Sequence, residues 1–282
     1  SGMFDQITIL GTGLLGASLA LAARHRSACR RVHAWSRRAE TRAQAAESGW
    51  ADAVFEHPEA ACAGSDLIVL CTPVNTIVPL LRRVAGEIAA GALVTDVGST
   101  KSRICREACG VADCKGTFVG SHPMAGSEQT GLAHAREDLF DGAACILTPL
   151  DAGTEAATAR LREFWQTLGM VVTVLSPEQH DEAVAHVSHL PHFLAAALAA
   201  YLGKRPEAWR ALAGGGLRDS TRIAAGDPTL WGQIFSHNRE EVVRALTGLE
   251  EELQKFKSAL LNEDETALHR HLTRGKEFRD QL

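Results

Sequence analysis

The chain has 282 residues, of which 45% are hydrophobic and 22% charged, as expected for a globular protein of one large domain or two. Its net charge of −5 provides no global basic field, so nucleic acid is not an expected partner. No apolar run approaches the roughly 20 residues that span a bilayer, so no membrane partner is expected either.

The cysteine pattern favours a reducing compartment. The chain has seven cysteines, an odd number, and their spacing matches no disulfide framework, so we expect a cytoplasmic protein. Cys105, Cys109 and Cys114 with His122 match no common zinc motif, and no metal site is predicted.

A glycine-rich turn follows the first predicted strand, Ile7–Leu10. Its G-x-G-x-x-G spacing permits a tight turn, close approach of a pyrophosphate, and close packing of the helix predicted over 14–23. Strand, glycine turn and helix together predict a dinucleotide site at the helix N-terminus. The cofactor-binding residues expected here are Gly11, Gly13, Leu14, Leu15 and Gly16.

The end of the second predicted strand bears on the choice of cofactor. An acidic residue about 20 residues beyond the glycines holds the ribose of NAD. Here that place is taken by Ser36, followed by Arg37 and Arg38, which favours NADP and leaves NAD possible. The alternative is that the arginines form a solvated basic face.

Strands and helices then alternate as far as the strand predicted over 170–175, which predicts a doubly wound, mostly parallel α/β sheet. Ligands bind beyond the carboxyl ends of such strands. Thr72 and Pro73 end one strand and are expected to contact the cofactor. Ser99, Lys101 and His122 follow later strands and are expected to line the same cleft.

From Ser176 onward only helices are predicted, beginning with a Ser176–Gln179 capping box. We therefore expect a Rossmann-type dinucleotide-binding domain over 3–175 and an all-helical substrate and dimerisation domain over 176–282. An apolar stripe at helical spacing is either internal core or a homodimer interface. Its members are Val242, Leu246, Leu249, Leu253, Phe256 and Leu260.

Two stretches of the helical region carry polar groups. His186, His189 and His192 recur every three residues beside Pro191, which predicts a kinked helix with a polar patch or, alternatively, satisfied core histidines. Arg222 follows Arg218 and Asp219 and is suited to clamp a carboxylate; the alternative is a surface Arg–Asp pair.

These motifs together resemble the prephenate/arogenate (cyclohexadienyl) dehydrogenase family. The matching pieces, in family order, are "GTGLLGASLA", "CTPVNTI", "DVGSTK", "GSHPMAGSEQTG", "VSHLPH" and "GLRDSTRIAAGDPTLW". The resemblance implies oxidative decarboxylation of prephenate, arogenate or both, with hydride transfer to NAD(P)+, in tyrosine biosynthesis. It also implies a nucleotide-binding domain followed by a helical domain that dimerises.

The resemblance implies roles for individual residues. His122 matches the catalytic histidine, and Ser99 a serine near it and the nicotinamide. An imidazole suits a base that must be neutral near pH 7. The expected substrate-binding residues are Arg222 on a carboxylate, His192 and His189 near the side chain, and Glu128 and Asp219 at the mouth.

Two other functions remain possible from the residues alone. One is an NADP-dependent β-hydroxyacid-type dehydrogenase, which would use a lysine base in its second domain. The other is a non-enzymatic NADP-sensing protein. The preference between prephenate and arogenate is not decided by the sequence.

Overall fold

The computed structural model describes residues 3–126, 130–150 and 152–282. Within them the first half of the chain forms a six-stranded parallel sheet in the order β3-β2-β1-β4-β5-β6 and a three-stranded sheet in the order β7-β8-β9. The strands are β1 Phe4–Leu10, β2 Cys29–Trp35, β3 Ala53–Phe55, β4 Leu67–Leu70, β5 Leu93–Asp96, β6 Thr117–Phe118, β7 Gly120–Pro123, β8 Ala144–Thr148 and β9 Val171–Val174.

Helices cover both faces of the parallel sheet, and its central strands β1, β4 and β5 are almost entirely buried. The helices of this half are α1 Leu14–His25, α2 Ala39–Glu47, α3 Pro58–Cys62, α4 Val74–Val84, α5 Ser102–Cys109 and α6 Glu155–Thr167. From β1 the chain adds β2 and β3 on one side of the sheet and β4 to β6 on the other. Doubly wound sheets bind ligands at this switch point, between β1 and β4. The expected Rossmann-type fold is confirmed.

Residues 116–126 contain two strands that belong to two different sheets, whereas the sequence predicted one doubly wound sheet. Val119 still donates its N–H to the Val94 carbonyl of β5. The next N–H on that side, from Ser121, is donated instead to the Asp96 side chain at 3.3 Å. A carboxylate thus ends the parallel ladder, and β7 pairs antiparallel with β8.

The second half of the described chain is helical. Its helices are α7 Pro177–Val184, α8 Leu190–Leu202, α9 Gly215–Thr221, α10 Pro228–His237, α11 Arg239–Leu261 and α12 Glu265–Asp280. A π-helical segment, Ala185–His189, joins α7 to α8. The predicted capping box is present, with Ser176 and Gln179 bonded reciprocally. The glycine triplet 214–216 leads directly into α9, with Gly214 as its N-cap.

The continuous helical run Pro177–Leu202 has 26 residues and a mean hydropathy of 1.3 in its most apolar part, so by length and composition alone it is able to cross a membrane. The expectation that no such run exists was therefore wrong. Its first turns carry His180 and Asp181, which are buried in polar contacts described below.

The apolar stripe on α11 is fully buried only at Val242, while Leu246, Leu249 and Phe256 are partly buried and Phe256 packs against His271 of α12. Val242 is buried against Ala185, whereas Leu253 and Leu260 are 55% and 63% exposed. Within this single chain Val242 therefore belongs to the internal core, whereas Leu253 and Leu260 do not.

Candidate functional site

The loop between β1 and α1 forms a cradle of bare backbone. Gly11 has φ +104°, and a Cβ there would lie 2.8 Å from the Cys71 carbonyl oxygen. A Cβ on Gly16 would lie 1.9 Å from the Gly11 carbonyl oxygen, so only glycine lets α1 approach β1 this closely. Gly13, by contrast, faces open space and is the N-cap of α1.

The cradle fits a dinucleotide. The first turn of α1 has no acidic residue to oppose an anion, and its N-cap offers no side chain in place of a ligand. Thr72, in the loop after β4, has a buried Oγ1 without a hydrogen-bond partner among the described residues. Leu14 and Leu15 are partly buried beside the cradle, and Pro73 caps α4. A nicotinamide dinucleotide would supply both the phosphates for this turn and a partner for Thr72.

Ser36 does not present a free hydroxyl to the cofactor. Its Oγ accepts a hydrogen bond from the Thr12 N–H at 3.1 Å and also bonds to the Thr12 hydroxyl, and the residue is buried. Arg37 and Arg38 are exposed at the strand end. Arg42 turns back and donates to the Ser36 and Arg37 carbonyls at 3.0 and 2.9 Å, which stiffens this loop.

His122 lies on β7 and is 6% exposed. The residue before it holds the strand in place: the Ser121 hydroxyl bonds to Thr95 at 2.7 Å and accepts from the Trp165 indole N–H at 3.1 Å. Both bonds are buried, so the position of His122 is set by core packing and not by a mobile loop.

His122 begins a row of hydrogen-bonded side chains that sequence analysis did not predict. Its Nδ1 lies 2.7 Å from Nε2 of His180, and Nδ1 of His180 lies 2.7 Å from Oδ1 of Asp181. Asp181 also accepts the N–H groups of Lys101 at 2.8 Å and Ser102 at 3.0 Å, at the start of α5. The only sequence signal was a His-Asp pair just inside the capped start of α7.

A fully buried ion pair lies next to this row. Lys101 Nζ is 2.5 Å from Asp96 Oδ2, and both side chains are 0% exposed. Asp96 accepts further hydrogen bonds from the N–H groups of Gly98 and Ser121. Lys101, expected to line the cleft, is thus buried beneath it.

The electrostatics of the site keep its histidines neutral. Burial, followed by the nearby His180 and Lys101, holds the pKa of His122 well below its ordinary value. Burial also lowers the pKa of His180 against the opposing effect of Asp181. Burial alone would raise the pKa of Asp181, but hydrogen bonds from His180 and the Ser102 amide bring it below its ordinary value.

His189 is fully buried behind the site. Its Nδ1 lies 3.2 Å from Asn238 Nδ2, which also donates to the Asp181 carbonyl at 2.8 Å. Burial lowers the pKa of His189 to about 4. Because an amide N–H can only donate, Nδ1 of His189 is the acceptor and its proton resides on Nε2.

His192, on α8, stacks on the indole of Trp231, with ring centroids 3.7 Å apart and planes 11° from parallel. Phe235 closes the cluster from the next turn of α10. Burial lowers the pKa of His192. Trp231 lies in one of the quoted motifs but was not selected, since a tryptophan three residues inside an amphipathic helix is ordinarily core.

The structure separates some residues that the sequence placed together. His186 is exposed, with its Nδ1 against the Glu182 carbonyl at 2.9 Å, whereas His189 and His192 are buried. The π-helical turn shifts the register, so three-residue spacing no longer keeps one face. Asp219 and Arg222 are exposed in the single chain. Glu128 lies outside the described residues, and Ser99 is partly buried in the loop after β5.

Comparison with known proteins identifies the family. The family model "Prephenate dehydrogenase, nucleotide-binding domain" matches residues 19–174, and "Prephenate dehydrogenase, dimerization domain" matches 176–274. Prephenate dehydrogenase of Bacillus subtilis is 32% identical over 284 residues, covering 99% of this chain and 76% of that protein.

Two solved structures extend the likeness. Prephenate dehydrogenase of A. aeolicus, in complex with hydroxyphenyl propionate and NAD+, is 30% identical with a TM-score of 0.92 over 98% of each chain. Synechocystis arogenate dehydrogenase is 31% identical with a TM-score of 0.84, over 98% of this chain and 99% of its own. The resemblance predicted from the motifs is confirmed: this chain is an oxidoreductase that belongs to the prephenate dehydrogenase family.

Proposed function

We propose that this chain catalyses the oxidative decarboxylation of prephenate, arogenate or both, with NAD(P)+ as hydride acceptor, as a step of tyrosine biosynthesis. The observation that carries the proposal is a buried, neutral His122 at the carboxyl edge of a nucleotide-binding fold. A neutral imidazole is the group that removes a hydroxyl proton near pH 7. The relatives named prephenate and arogenate dehydrogenase support this substrate class.

In the proposed mechanism His122 is the general base at the ring hydroxyl. The nicotinamide, when bound, accepts the hydride from the ring carbon that bears this hydroxyl. Ser99 lies after β5, on the same edge of the sheet as the cradle, and is proposed to orient His122 and the nicotinamide. Loss of the ring carboxylate as carbon dioxide then makes the ring aromatic.

Substrate binding is assigned to the helical half. Arg222 is proposed to bind a substrate carboxylate as a bidentate pair. His192, which stacks on Trp231, and the buried His189 are proposed to lie near the substrate side chain. Asp219 and Glu128 are proposed at the mouth of the site. An acid there would favour the ammonium group of arogenate over the keto group of prephenate, which makes Glu128 the residue to test for this choice.

NADP is proposed as the preferred cofactor, with NAD as the alternative. The residues that directly follow β2 are Ser36, Arg37 and Arg38, with no carboxylate among them, and both arginines are exposed. Because the Ser36 hydroxyl already bonds to Thr12, the arginines carry this proposal alone. The A. aeolicus relative holds NAD+ in its complex, which supports a nicotinamide dinucleotide in general.

We also propose a cytoplasmic homodimer, divided into a nucleotide-binding domain over 3–175 and a helical domain over 176–282. The exposed apolar end of the α11 stripe, with Leu253 and Leu260, supports association of two copies. Sedimentation at micromolar concentration tests it, and a monomer would contradict it.

The deciding experiment is a turnover assay of the purified chain with prephenate and with arogenate, each with NADP+ and with NAD+. Reduced cofactor and carbon dioxide formed in equal amounts support the proposal, and the four rates rank the substrates and cofactors. Absence of turnover with all four pairs would contradict it.

A further inference from the structure

The row behind His122 has a direction that can be read from its chemistry. The Asp181 carboxylate accepts hydrogen bonds from two backbone N–H groups, and in its ionised form it can only accept. Nδ1 of His180, 2.7 Å from Oδ1, must therefore carry a proton and donate it. A neutral His180 then has its lone pair on Nε2.

The tautomer of His180 determines that of His122. Nε2 of His180 has only a lone pair to offer, and it lies 2.7 Å from Nδ1 of His122. Nδ1 of His122 must be the donor in this bond. A neutral His122 therefore carries its proton on Nδ1 and leaves its lone pair on Nε2, the nitrogen that the row does not occupy.

We propose that His180 and Asp181 are positioning residues of this enzyme: His180 holds His122 in the tautomer whose Nε2 accepts the substrate proton, and Asp181 supplies the countercharge to the imidazolium that results. The inference rests on the proposed function in naming the proton donor. The tautomer itself depends only on the hydrogen-bonded row.

The proton balance explains why a countercharge is needed. The hydroxyl proton goes to Nε2 of His122, its O–H electron pair forms the C=O bond, and the ring C–H pair leaves as hydride to the oxidised nicotinamide. The bond to the ring carboxylate then breaks, carbon dioxide leaves, and the electron pair enters the ring. The oxygen becomes a phenolate and takes the proton back from Nε2. His122 is thus a cation only between these two events.

Burial and the neighbouring groups disfavour this transient positive charge on His122. Lys101 approaches from the start of α5, His189 from the π-helical segment, and the Cys145 thiol lies on β8 beside β7. The Lys101 charge is paired with Asp96. Asp181 is therefore the carboxylate joined to His122 through the row, and burial strengthens its effect on the far imidazole.

The tautomer is tested first, without turnover. The whole enzyme is labelled with 15N-histidine, and long-range 1H–15N correlation spectra are recorded for the wild type and for His122→Asn, which identifies the His122 signals by their loss. We expect a protonated Nδ1 and an unprotonated Nε2 at neutral pH. A protonated Nε2 on His122 would overturn the proposal.

The positioning role is tested by paired variants of His180. In His180→Gln the side-chain oxygen can still accept from Nδ1 of His122, whereas His180→Leu removes the acceptor. Residues that orient a metal-ligating histidine through a hydrogen bond change activity by about 10- to 100-fold when lost, and we expect the same range for a partner that orients a catalytic histidine. We expect kcat to fall in that range for His180→Leu and to be recovered in part by His180→Gln. Equal kcat values for the two variants would overturn the role.

The countercharge is tested by Asp181→Asn, with Glu182→Gln as the control one residue away on the exposed side of α7. Without the carboxylate the imidazolium is less stable, so the pKa of His122 falls. The acidic limb of the kcat–pH profile should therefore move to lower pH in Asp181→Asn, with a lower plateau, and stay in place in Glu182→Gln. A lower plateau with an unmoved limb would overturn the countercharge.

Failure of this inference is distinguishable from failure of the proposed function. Absence of turnover in the wild type with prephenate and arogenate contradicts the function, while the 15N spectra still decide the tautomer. Binding of NADP+ to each variant, followed by fluorescence, reports folding of the nucleotide site. If the His180 variants no longer bind NADP+, the Asp181→Asn variant decides the proposal, and if Asp181→Asn no longer binds it, the His180 variants do.

Discussion

Nζ of Lys101 lies 2.5 Å from Oδ2 of Asp96, and neither side chain has any solvent exposure. The pair joins the end of β5 to the start of α5, and Lys101 lies close enough to help lower the pKa of His122. A buried pair of this kind is costly to break, because the remaining charge stays buried without its partner.

Lys101→Met should therefore lower the free energy of unfolding by about 3–5 kcal/mol. The double variant Lys101→Met/Asp96→Asn should lose less than Lys101→Met alone, because no unpaired charge remains. Urea denaturation measures both. As a control, Lys276→Met breaks the exposed Lys276–Asp280 pair and should cost no more than about 1 kcal/mol. Equal losses for the buried and exposed pairs would contradict this reading.

His122→Asn should reduce kcat by roughly 10²–10⁴-fold with little change in cofactor affinity, since it removes the base. The asparagine amide can still donate to Nε2 of His180, so the row behind it keeps a donor. Steady-state kinetics with prephenate and NADP+ measure the effect. His269→Asn, at an exposed position on α12, should leave kcat unchanged. An unchanged kcat in His122→Asn would remove it from the mechanism.

Arg222→Ala should raise KM for the substrate, because a bidentate charge-assisted pair contributes about 2–5 kcal/mol to binding when one partner is truncated. NADP+ affinity should stay the same. Arg218→Ala, an exposed arginine on α9, is the matched control for the loss of one positive charge. If KM rises equally in both variants, Arg222 acts only through its contribution to the overall positive charge and not through a direct contact with the substrate.

NADP should be preferred over NAD by about ten- to a hundredfold in kcat/KM, the value of one charge-assisted contact of about 1.5–3 kcal/mol. Replacing Arg37 and Arg38 together by alanine should abolish the preference. Arg30→Ala, at the opposite end of β2, should leave it intact.

Ser36→Asp should reverse the preference for NADP, since the carboxylate can accept from the Thr12 N–H and the ribose while it repels a 2′-phosphate. Kinetics with both cofactors at fixed ionic strength test this. A wild-type ratio that favours NAD would show that the arginines face only solvent.

Stability should fall as the pH falls from about 6.5 to about 4, because of the buried His189. Its pKa in the folded chain is lowered to about 4 by burial, whereas in the unfolded chain it is about 6.5. Between these values the unfolded chain binds a proton that the folded chain does not, so acid favours unfolding. The loss from this residue reaches about 3 kcal/mol.

Urea denaturation at pH 7 and pH 5 measures this slope. His122 also has a lowered pKa and adds to the slope in the same direction. His189→Gln should therefore reduce the slope by about one proton without abolishing it. An unchanged slope in His189→Gln would show that His189 is protonated in the folded chain or remains neutral on unfolding.

The sequence by itself determined the features that depend on near neighbours. The glycine turn after β1, the Ser176–Gln179 capping box and the change from alternating elements to helices all follow from residue types within one or two turns. His122 could be chosen because an imidazole is unusual in a stretch rich in glycine and serine, but the stretch around it was expected to be a loop and is strand β7. Arg37 and Arg38 could be chosen because they directly follow the second predicted strand, where an acidic residue would indicate NAD.

Only the tertiary structure decided which side chains meet. His180 and Asp181 lie more than fifty residues from His122 and reach it because α7 packs against α5. The hydroxyl of Ser36 accepts a hydrogen bond from the Thr12 N–H, a contact that the sequence does not reveal. The π-helical turn separated His186 from His189, and the Asp96 carboxylate ended the parallel ladder at β6. Apart from the π-helical turn, which is local to one helix, each outcome depends on a contact between distant segments, and periodicity along the chain contains no information about such contacts.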